Sequence, residues 1–493
     1  MNQLNIPTQI IDCQNYIAGK WQVGHGTPLN IMSPYTGKKI GQTVASTLDD
    51  VNAAVQGATL AGRDWGKVAL RDRCAVMFKF REILLRDIDL ISHIISSESG
   101  KTLAESKAGL SKGIEVTEFA LSIQNIDLGA KMQVSSGVFC ELRREPLGVV
   151  AGITPFNFPA MVPLWMIPNA VTLGNAFIWK PSEKTPLTSI FIAKALLEAG
   201  LPPGVLSIVH GGRETVEHIL DHKGISAAAF VGSTPVARSI YNRGCAAGKR
   251  VLALGGAKNH IFLLPDADPA MAAKGITDSF TGCAGQRCMA ASVLLAVGDV
   301  DAIIENIILQ AQQILPGISL GAIITPESLK SQHAAIELGV KEGAKLLLDG
   351  RNPKIPSEYT EGNWLAPTIL DHVKPEQNLA RIELFGPILT IMRCKNLSQA
   401  IAIENACEYG NAASVYTSSG DAAERIATEA TAGMIGINLA LPVPREPFSF
   451  GGIHSSKFGH GDITGRSSIE FWSDVKKIST KWSPQKESNW MNQ

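Results

Sequence analysis

The sequence predicts an α/β protein with two domains, each built around a parallel sheet. Three observations support this prediction. First, a chain of 493 residues is longer than a typical domain of about 100 to 200 residues and provides ample core. Second, from about residue 147 short runs rich in strand-forming residues alternate with helical ones, which is typical of βαβ units. Third, this alternation starts again near residue 251, which indicates a second sheet.

The elements follow in order along the chain. Before the first sheet, apolar residues recur at helical intervals among charges and predict a helical segment over 70–126. The first block then has strands at 147–153, 176–179, 205–209 and 227–232, with helices at 190–200 and 236–244. The second block has strands at 251–256 and 260–265, a helical run at 266–280 and a strand at 291–297. Two further segments, 137–150 and 469–482, are predicted to be extended and to pair with each other or with another subunit.

Composition excludes several classes of partner. Lysine plus arginine equals aspartate plus glutamate at 45 each, so there is no excess charge to attract nucleic acid. The eight cysteines show no zinc-type spacing, so no metal site is predicted and reduced thiols are expected. The first twenty residues resemble neither a signal sequence nor a transit peptide, which predicts a cytoplasmic protein. The uncharged stretch 146–179 is interrupted by prolines and asparagines, so it is predicted to be a strand, a loop and a short helix in a soluble core rather than a membrane span.

Cys288, in the segment FTGCAGQRCMAAS, is the candidate nucleophile. A reactive cysteine needs a thiolate and access to substrate, and here Ala284 and Gly285 leave room while Arg287 supplies a charge. The alternative is a buried, unreactive thiol, which is the commoner fate of a cysteine. Asn157, in TPFNFP, follows a predicted strand and can donate its amide N–H to an oxyanion, although an asparagine at such a place is also a common turn former.

A second group of residues fits a dinucleotide. Lys180 and Glu183 follow the strand AFIW, at the edge of the sheet where nucleotides bind. Glu183 can accept hydrogen bonds from ribose hydroxyls and repel a 2′-phosphate, which favours NAD over NADP. Ser233 is predicted to cap a helix whose first turn can receive pyrophosphate. Glu383, in ELFGP, is predicted to hold the nicotinamide ribose. The alternatives are a solvated loop pair for Lys180 and Glu183 and a surface turn for Glu383.

These motifs carry a family resemblance. The strings FTGCAGQRCM, TPFNFPAMVPLWMIPNAV, WKPSEKTP, FVGSTPVAR and ELFGP, at these separations, resemble the aldehyde dehydrogenase superfamily across essentially the whole chain. GGAKNH, GQRCMA, EGNWLAPTI and PVPREPFSFGG are similar to the CoA-acylating methylmalonate-semialdehyde/malonate-semialdehyde dehydrogenases. The resemblance implies an aldehyde dehydrogenase-like fold with a Rossmann-type NAD domain over 1–128 and 148–254 and a catalytic domain over 255–467. It also implies bridging segments over 129–147 and 468–493, and a homodimer or homotetramer.

The resemblance also implies roles for individual residues. Cys288 is the nucleophile and Asn157 the oxyanion-hole asparagine, NAD is the cofactor and CoA the co-substrate. Arg287 and Lys112 are implied to bind the substrate carboxylate, with a solvated helix position as an equal alternative for Lys112. The positions of cofactor contact are Thr154, Phe156, Lys180, Glu183, Lys184, Ser233, Gly255 and Glu383.

One departure from the wider superfamily bears on the reaction. Hydrolytic members place a glutamate two residues before a GG pair, and here Ala253 or Leu254 stands at that site. An acyl-enzyme without a general base resists water and can wait for the CoA thiol. The expected reaction is NAD-dependent oxidation of methylmalonate or malonate semialdehyde with decarboxylation, in valine, inositol or β-alanine breakdown. The alternatives are a hydrolytic semialdehyde dehydrogenase, a reductive acyl-CoA enzyme and a non-catalytic NAD-binding homologue.

Overall fold

The computed structural model of the protein describes residues 4, 6–126 and 129–482. Its strands are β1 (Ile11–Cys13), β2 (Asn15–Ile17), β3 (Lys20–Gln22), β4 (Pro28–Met32), β5 (Lys39–Val44), β6 (Ala130–Ser135), β7 (Val138–Pro146), β8 (Val149–Ile153), β9 (Ala176–Lys180), β10 (Leu206–Ile208), β11 (Ala227–Val231), β12 (Arg250–Leu254), β13 (Asn259–Leu263), β14 (Ala291–Val297), β15 (Lys345–Leu348), β16 (Thr368–Asp371), β17 (Ile388–Cys394), β18 (Tyr409–Gly410), β19 (Ala412–Tyr416), β20 (Met434–Ile437), β21 (Ile453–His454), β22 (Lys457–Phe458) and β23 (Ser473–Lys481).

The helices surround the sheets described below. They are α1 (Leu48–Trp65), α2 (Leu70–Arg86), α3 (Ile88–Ser99), α4 (Leu103–Ser122), α5 (Met161–Thr172), α6 (Leu187–Glu198), α7 (Arg213–Asp221), α8 (Thr234–Ala246), α9 (Pro269–Thr281), α10 (Asp301–Gln312), α11 (Pro326–Lys341), α12 (Asn378–Arg381), α13 (Leu397–Asn405), α14 (Gly420–Glu429) and α15 (Gly465–Phe471), with short 3-10 turns at Ile123–Asn125, Gly282–Gly285 and Ser357–Tyr359.

The helical segment predicted over 70–126 is confirmed as α2, α3 and α4. α3 ends where Gly100 adopts a left-handed conformation with φ +79°, which glycine tolerates without steric cost. α4 begins with a capping box, in which the Thr102 hydroxyl accepts the Glu105 backbone N–H while the Glu105 carboxylate accepts the Thr102 backbone N–H at 3.0 Å. The junction between α3 and α4 is therefore a sharply defined corner.

The first sheet has eight strands in the order β22-β12-β11-β8-β9-β10-β2-β3. The five strands from β12 to β10 are parallel, and β8 and β9 are buried along their whole length. Continuous apolar strands of this kind are typical of a parallel sheet covered by helices on both faces. The βαβ units predicted from the first block of alternation are confirmed. The strand predicted at 251–256 as the start of the second sheet is instead β12 of this first sheet, because it pairs with β11 in parallel.

The uncharged stretch 146–179 forms β8, a loop, α5 and β9, as predicted. Pro163 lies in the first turn of α5, where a missing N–H has no cost, but Pro168 lies inside the helix, so this helix tolerates a proline that was expected to break it. Within the described part of the chain, no helix is long and apolar enough to cross a membrane.

The second sheet has seven strands in the order β15-β16-β17-β14-β13-β19-β20. All neighbours in it are parallel except β15 and β16. Cys288 lies three residues before β14, between this strand and the 3-10 turn at the end of α9. The second sheet thus positions the candidate nucleophile.

The two extended segments pair with each other, as predicted. β7 and β23 are antiparallel from Ser473 opposite Pro146 to Lys481 opposite Val138, and β6 extends this three-stranded sheet. The second segment starts differently from the prediction, because 469–471 belong to α15, whose Phe471 packs edge-on against the buried Trp472. The role of this sheet in subunit assembly stays a prediction, and 483–493 lie outside the described residues.

The division into domains at the predicted boundaries also stays a prediction. One strand joins the sheet of the other predicted domain. β22 adds Lys457 and Phe458 to the edge of β12 in the first sheet, although these residues come from the predicted catalytic segment 255–467. Phe458 packs on Tyr241 with ring centroids 6.2 Å apart, which provides apolar contact for so short a strand.

Candidate active site

A cavity of about 730 Å³ lies at the carboxyl ends of β8, β9 and β11 and extends to Cys288. This is the edge of a parallel sheet at which ligands bind in open α/β folds. The predicted catalytic and cofactor-contact residues that line it are Thr154, Phe156, Asn157, Lys180, Glu183, Lys184, Ser233, Gly255, Cys288 and Glu383. The structure therefore brings together residues that are up to about 230 positions apart in sequence.

The loop before Cys288 has an uncommon backbone. Cys283 and Ala284 have φ of 55° and 52°, and Gly285 follows at 67°. A Cβ on Gly285 would lie 2.0 Å from the Gly386 carbonyl oxygen, so only glycine fits at that position. Non-glycine residues in the left-handed region cost free energy and persist where surrounding contacts hold them, as often occurs at functional sites.

Two asparagines hold the backbone of Cys288. The Nδ2 atoms of Asn259 and Asn411 donate to the Cys288 carbonyl oxygen at 2.7 and 2.9 Å. Burial, and after it the charge of Glu383, raise the pKa of the Cys288 thiol to about 12, while Arg287 and Lys101 act in the opposite direction. The resting group is a thiol, so the site must supply positive charge or a base before it can attack.

Asn157 is buried and placed beside the cysteine loop. Its Nδ2 donates to the Gln286 carbonyl oxygen at 3.0 Å, which uses one of its two N–H bonds and leaves the second for a ligand. Gln286 is itself fixed, because its side chain bonds the backbone of Ala322 and Ile324 at 3.0 and 2.9 Å. The amide is therefore fixed in place before any ligand binds, as an oxyanion donor must be.

Lys180 and Glu183 form an ion pair of 3.2 Å at the end of β9. Burial lowers the pKa of Lys180, and Glu183 opposes this shift. Burial alone would raise the pKa of Glu183, but Lys180 and Lys184 hold it below its usual value, so the carboxylate stays ionised. Lys184 lies 5.3 Å from the centre of the Phe156 ring. An ionised carboxylate at this place can accept two hydroxyl hydrogen bonds and disfavours a phosphate.

Glu383 closes the cavity near Cys288. It accepts the Ala257 backbone N–H at 2.9 Å, and a Cβ on Gly256 would lie 2.3 Å from its carboxylate oxygen. Burial raises the pKa of Glu383 to about 7, and the Ala257 N–H and Lys258 limit the rise. This carboxyl group therefore changes charge near neutral pH.

Ser233 precedes the first turn of α8, as predicted, but its hydroxyl makes no capping hydrogen bond. It faces the cavity instead, which leaves the first N–H groups of α8 for a ligand. Gly255 lies opposite, where a Cβ would approach the Thr234 hydroxyl to 2.8 Å and the Ser455 carbonyl to 2.9 Å. A side chain at this position would be excluded by these contacts.

Two predicted residues lie outside the cavity lining. The Arg287 guanidinium donates to the carbonyls of Asp278 and Ser279 in α9, and its Nε has no hydrogen-bond partner among the described residues. The Lys112 ammonium pairs with Glu115 at 3.1 Å and with Glu446 at 3.3 Å. Their role toward a substrate carboxylate stays a prediction, and a substrate would have to displace these contacts.

Sequence reasoning missed several residues that hold the site. Asn259 lies in GGAKNH, a run used only for the family resemblance, and Asn411 has no local motif at all. Lys101, behind the cavity wall, follows Gly100 in a helix corner that looks purely structural in sequence. A buried polar side chain gives no sequence signal when its partner is distant along the chain.

The comparisons with known proteins agree with this geometry. The model of the aldehyde dehydrogenase family matches residues 21–478. The chain belongs to the aldehyde dehydrogenase family. It is 40% identical over 484 residues to malonate-semialdehyde dehydrogenase 3 of Geobacillus kaustophilus, covering 96% of this chain and 100% of that protein. A Dictyostelium discoideum protein named "probable methylmalonate-semialdehyde/malonate-semialdehyde dehydrogenase (acylating), mitochondrial" is 38% identical, over 92% of this chain and 87% of its own.

Solved structures support the same placement. The methylmalonate-semialdehyde dehydrogenase of Oceanimonas doudoroffii matches with a TM-score of 0.95 at 36% identity, over 97% of this chain and 99% of that one. A Sinorhizobium meliloti structure given the same activity and complexed with NAD also reaches 0.95 at 36% identity, over 98% and 100%. The predicted fold, family and enzyme class are confirmed.

Proposed function

We propose that this aldehyde dehydrogenase oxidises methylmalonate and malonate semialdehydes with NAD, releases CO2, and transfers the acyl group to CoA. The products are propanoyl-CoA and acetyl-CoA. One observation carries the proposal: Cys288 and Asn157 share a cavity with the Lys180–Glu183 pair, while the site of the hydrolytic base holds Ala253 or Leu254. The names of the relatives, one of them acylating, support the same substrates and acceptor.

The residues present fit NAD. The ionised Glu183 at the end of β9 suits ribose hydroxyls, and the free first turn of α8 suits pyrophosphate. Gly255 and Gly256 leave space that a side chain would fill, and Glu383 faces the same space. When bound, NAD supplies the acceptor for the hydride that leaves the aldehyde carbon.

The residues of this chain then account for the covalent steps. Cys288 loses its proton to solvent through the cavity, and its sulfur forms a bond to the aldehyde carbon, whose oxygen becomes an alkoxide facing the Asn157 amide. Loss of hydride from that carbon leaves a thioester on Cys288. The β-carboxylate departs as CO2, and the electron pair of the broken C–C bond forms an enolate whose oxygen accepts the same hydrogen bond. The α-carbon then gains a proton from solvent.

Release of the acyl group depends on what can attack the thioester. Ala253 and Leu254 are buried in β12 and carry no base, so water near the thioester is not activated there. The thiol of CoA is a better nucleophile than water, and near its own pKa part of it is already thiolate without a general base from the protein. Its attack forms the new C–S bond and releases Cys288 as a thiolate, ready for the next aldehyde.

The test of the proposed function is NADH formation from each semialdehyde with and without CoA, with the carbon product identified by mass. We expect turnover that requires CoA and yields propanoyl-CoA or acetyl-CoA, because hydrolysis lacks a base. Formation of the free acid at an equal rate without CoA would move the enzyme to the hydrolytic branch. Absence of any turnover with the substrates and NAD present would support the non-catalytic alternative.

Glu383 gives a second prediction, on pH. Its pKa of about 7 means that the carboxylate prevails above neutrality and gains a proton below it. We expect the Kd for NAD to rise as pH falls through 7, since the protonated group is a weaker acceptor for the ribose. Glu383→Gln should bind NAD about tenfold more weakly and lose this dependence, because a hydrogen bond to a charged group contributes about 1.5 kcal/mol or more.

The measurement is calorimetric titration of NAD across that pH range. Glu214→Gln, which removes a carboxylate from the exposed face of α7, is the matched control and should keep the wild-type profile. A wild-type Kd that is flat through neutral pH, or a Glu383→Gln variant with an unchanged slope, would contradict a ribose contact by this carboxylate.

A further inference from the structure

Glu98 is a buried carboxylate that has no part in the covalent steps above. It lies near the end of α3 and has no exposed surface. Its Oε2 accepts the Leu187 backbone N–H at 2.7 Å, and its Oε1 accepts the Thr188 backbone N–H at 2.9 Å. The Thr188 hydroxyl donates to Oε1 as well. Both carboxylate oxygens are thus occupied by donors from the first turn of α6.

These hydrogen bonds offset the cost of burying the charge. Burial raises the pKa of Glu98 to about 7, while the Thr188 hydroxyl and the N–H groups of Thr188 and Leu187 limit the rise. Above that pH the group is ionised, and its hydrogen bonds are charge-assisted and stronger than those of a neutral acceptor. Its negative charge is also favoured at the N-terminus of a helix. Glu98 therefore holds the start of α6 firmly above neutral pH.

The turn that Glu98 holds comes directly after the loop proposed to bind a ribose of NAD. The loop 181–186 connects β9 to α6 and carries Glu183. At its start, Lys180 in the buried strand β9 pairs with Glu183 at 3.2 Å. At its end, Glu98 fixes the first two residues of α6. A short loop that is fixed at both ends leaves the Glu183 carboxylate little freedom to move.

Other contacts on the second half of this loop are weaker. The Thr185 hydroxyl donates to the Phe156 carbonyl at 3.2 Å, and the Cys13 thiol donates to the Pro186 carbonyl at 3.3 Å. Each is one hydrogen bond between neutral groups, and a thiol is a weak donor. Glu98 accepts three charge-assisted hydrogen bonds in the same region, so it makes the largest contribution to fixing the end of the loop.

We propose that Glu98 is a positioning residue for NAD: by fixing the first turn of α6, it holds the Glu183 carboxylate where the ribose hydroxyls bind. Glu98 itself touches no ligand, because it is fully buried and does not line the cavity. Its effect should appear in the affinity for NAD and in the preference for NAD over NADP, and not in the reactivity of Cys288. This inference rests on the proposed contact between Glu183 and the ribose.

The test is calorimetric titration of NAD and of NADP into full-length protein above pH 7, where the carboxylates of Glu98 and Glu383 both prevail. In Glu98→Gln the new amide N–H2 meets a backbone N–H of α6, which loses its acceptor. We expect the Kd for NAD to rise about threefold to tenfold, within the limit set by one hydrogen bond to a charged group, and the preference for NAD over NADP to fall. Alkylation of Cys288 by iodoacetamide without NAD should keep the wild-type rate.

A double-mutant cycle with Glu183→Gln separates positioning from general destabilisation. If Glu98 acts through Glu183, Glu98→Gln should weaken NAD binding in the wild-type background and have little further effect in Glu183→Gln. A role in stability alone predicts the same change, or none, in both backgrounds. Additive effects on the Kd for NAD, or an unchanged Kd in Glu98→Gln, would overturn the inference.

The matched control is Glu404→Gln. Glu404 is 1% exposed, accepts the Thr431 backbone N–H at 3.0 Å and lies outside the cavity lining, so this variant should lose stability without a change in either Kd. Thr188→Val removes only the hydroxyl donor to Glu98 and replaces Glu98→Gln if the latter does not fold. It should raise the Kd for NAD in the same direction by a smaller factor, and an unchanged Kd would then overturn the inference.

The same samples separate this inference from the proposed function. If Glu183→Gln binds NAD and NADP like wild type, Glu183 does not contact the ribose, and the inference on Glu98 falls with that contact. If Glu183→Gln binds NAD more weakly while Glu98→Gln binds it like wild type, only the role of Glu98 is wrong. Neither result changes the requirement for CoA, which the product assay measures.

Discussion

Cys288→Ala is expected to lower kcat for NADH formation by roughly 10⁴-fold or more, the scale of loss seen when a covalent nucleophile is removed. The thiol is the only atom of this side chain that can bond the aldehyde carbon, and without the thioester neither hydride loss nor transfer to CoA can follow the proposed path. NAD binding should remain at the wild-type Kd, because the proposed ribose and pyrophosphate contacts lie at the end of β9 and at the start of α8 rather than on the cysteine loop. Steady-state kinetics and a calorimetric titration of NAD measure the two quantities.

The control for this prediction is a variant that removes a cysteine outside the cavity lining. Cys140→Ala removes a cysteine of β7, whose sulfur lies 3.5 Å from the Ser479 hydroxyl in the exposed three-stranded sheet. It should keep wild-type kcat. The rival nucleophile in the same loop is Cys283. Burial raises the pKa of its thiol and shields it from solvent. Turnover that survives Cys288→Ala and is lost in Cys288→Ala/Cys283→Ala would move the chemistry to that residue.

Much of the fold could be predicted because its signals are local. β8 is apolar from end to end and β9 is apolar up to Lys180, the segment of α2, α3 and α4 has apolar residues at helical intervals, and β7 and β23 both lack an apolar core of their own. What could not be predicted depends on contacts over long distances. β22 has only two residues, so no alternation marks it, and it forms because the edge of β12 is free to pair with it. Pro168 stays inside α5 because the buried neighbours of that helix hold it in place.

The residues of the site also divide into those that local motifs predict and those that depend on distant contacts. Asn157, Lys180 and Glu183 lie in short motifs at or after the carboxyl ends of β8 and β9, so their presence at one edge of the first sheet follows from topology. Cys288 and Glu383 precede β14 and β17 of the second sheet, and their short motifs alone do not show that they meet the first group. The groups that hold them could not be found from local patterns, because each contact joins residues far apart along the chain. The partners concerned are Asn259 and Asn411 on the Cys288 carbonyl, Glu105 on Cys283, and Lys101 on Phe158.

The arginine and lysine expected to bind a carboxylate show a further limit. Their positive charge suits that role, but charge alone does not show which acceptor in the folded protein will pair with each side chain. Arg287 lies close enough to α9 to bond two carbonyls, and Glu446, brought near by the fold, takes the Lys112 ammonium. A substrate carboxylate would compete with groups already in place, which makes its selection depend on the cost of breaking those contacts.

Asn157→Ala should lower kcat by about 10² to 10³-fold, corresponding to loss of one preorganised oxyanion donor. In the proposed mechanism the amide acts when charge develops on the aldehyde oxygen and again when the enolate forms, so both steps should slow while the KM for aldehyde changes little. Asn157 also bonds the Gln286 carbonyl at 3.0 Å, so its loss could act by loosening the cysteine loop instead. The two causes differ in their effect on the thiol itself.

Alkylation of Cys288 by iodoacetamide distinguishes these causes, because displacement of iodide creates no oxyanion. If Asn157 serves the oxyanion, Asn157→Ala should be alkylated at the wild-type rate while aldehyde oxidation falls. An equal fall in both rates would mean that the amide acts by placing the loop. The first outcome would also bear on decarboxylation: the thioester oxygen that faces Asn157 is the one that carries the enolate charge, so a single donor would then serve both high-energy species of the cycle.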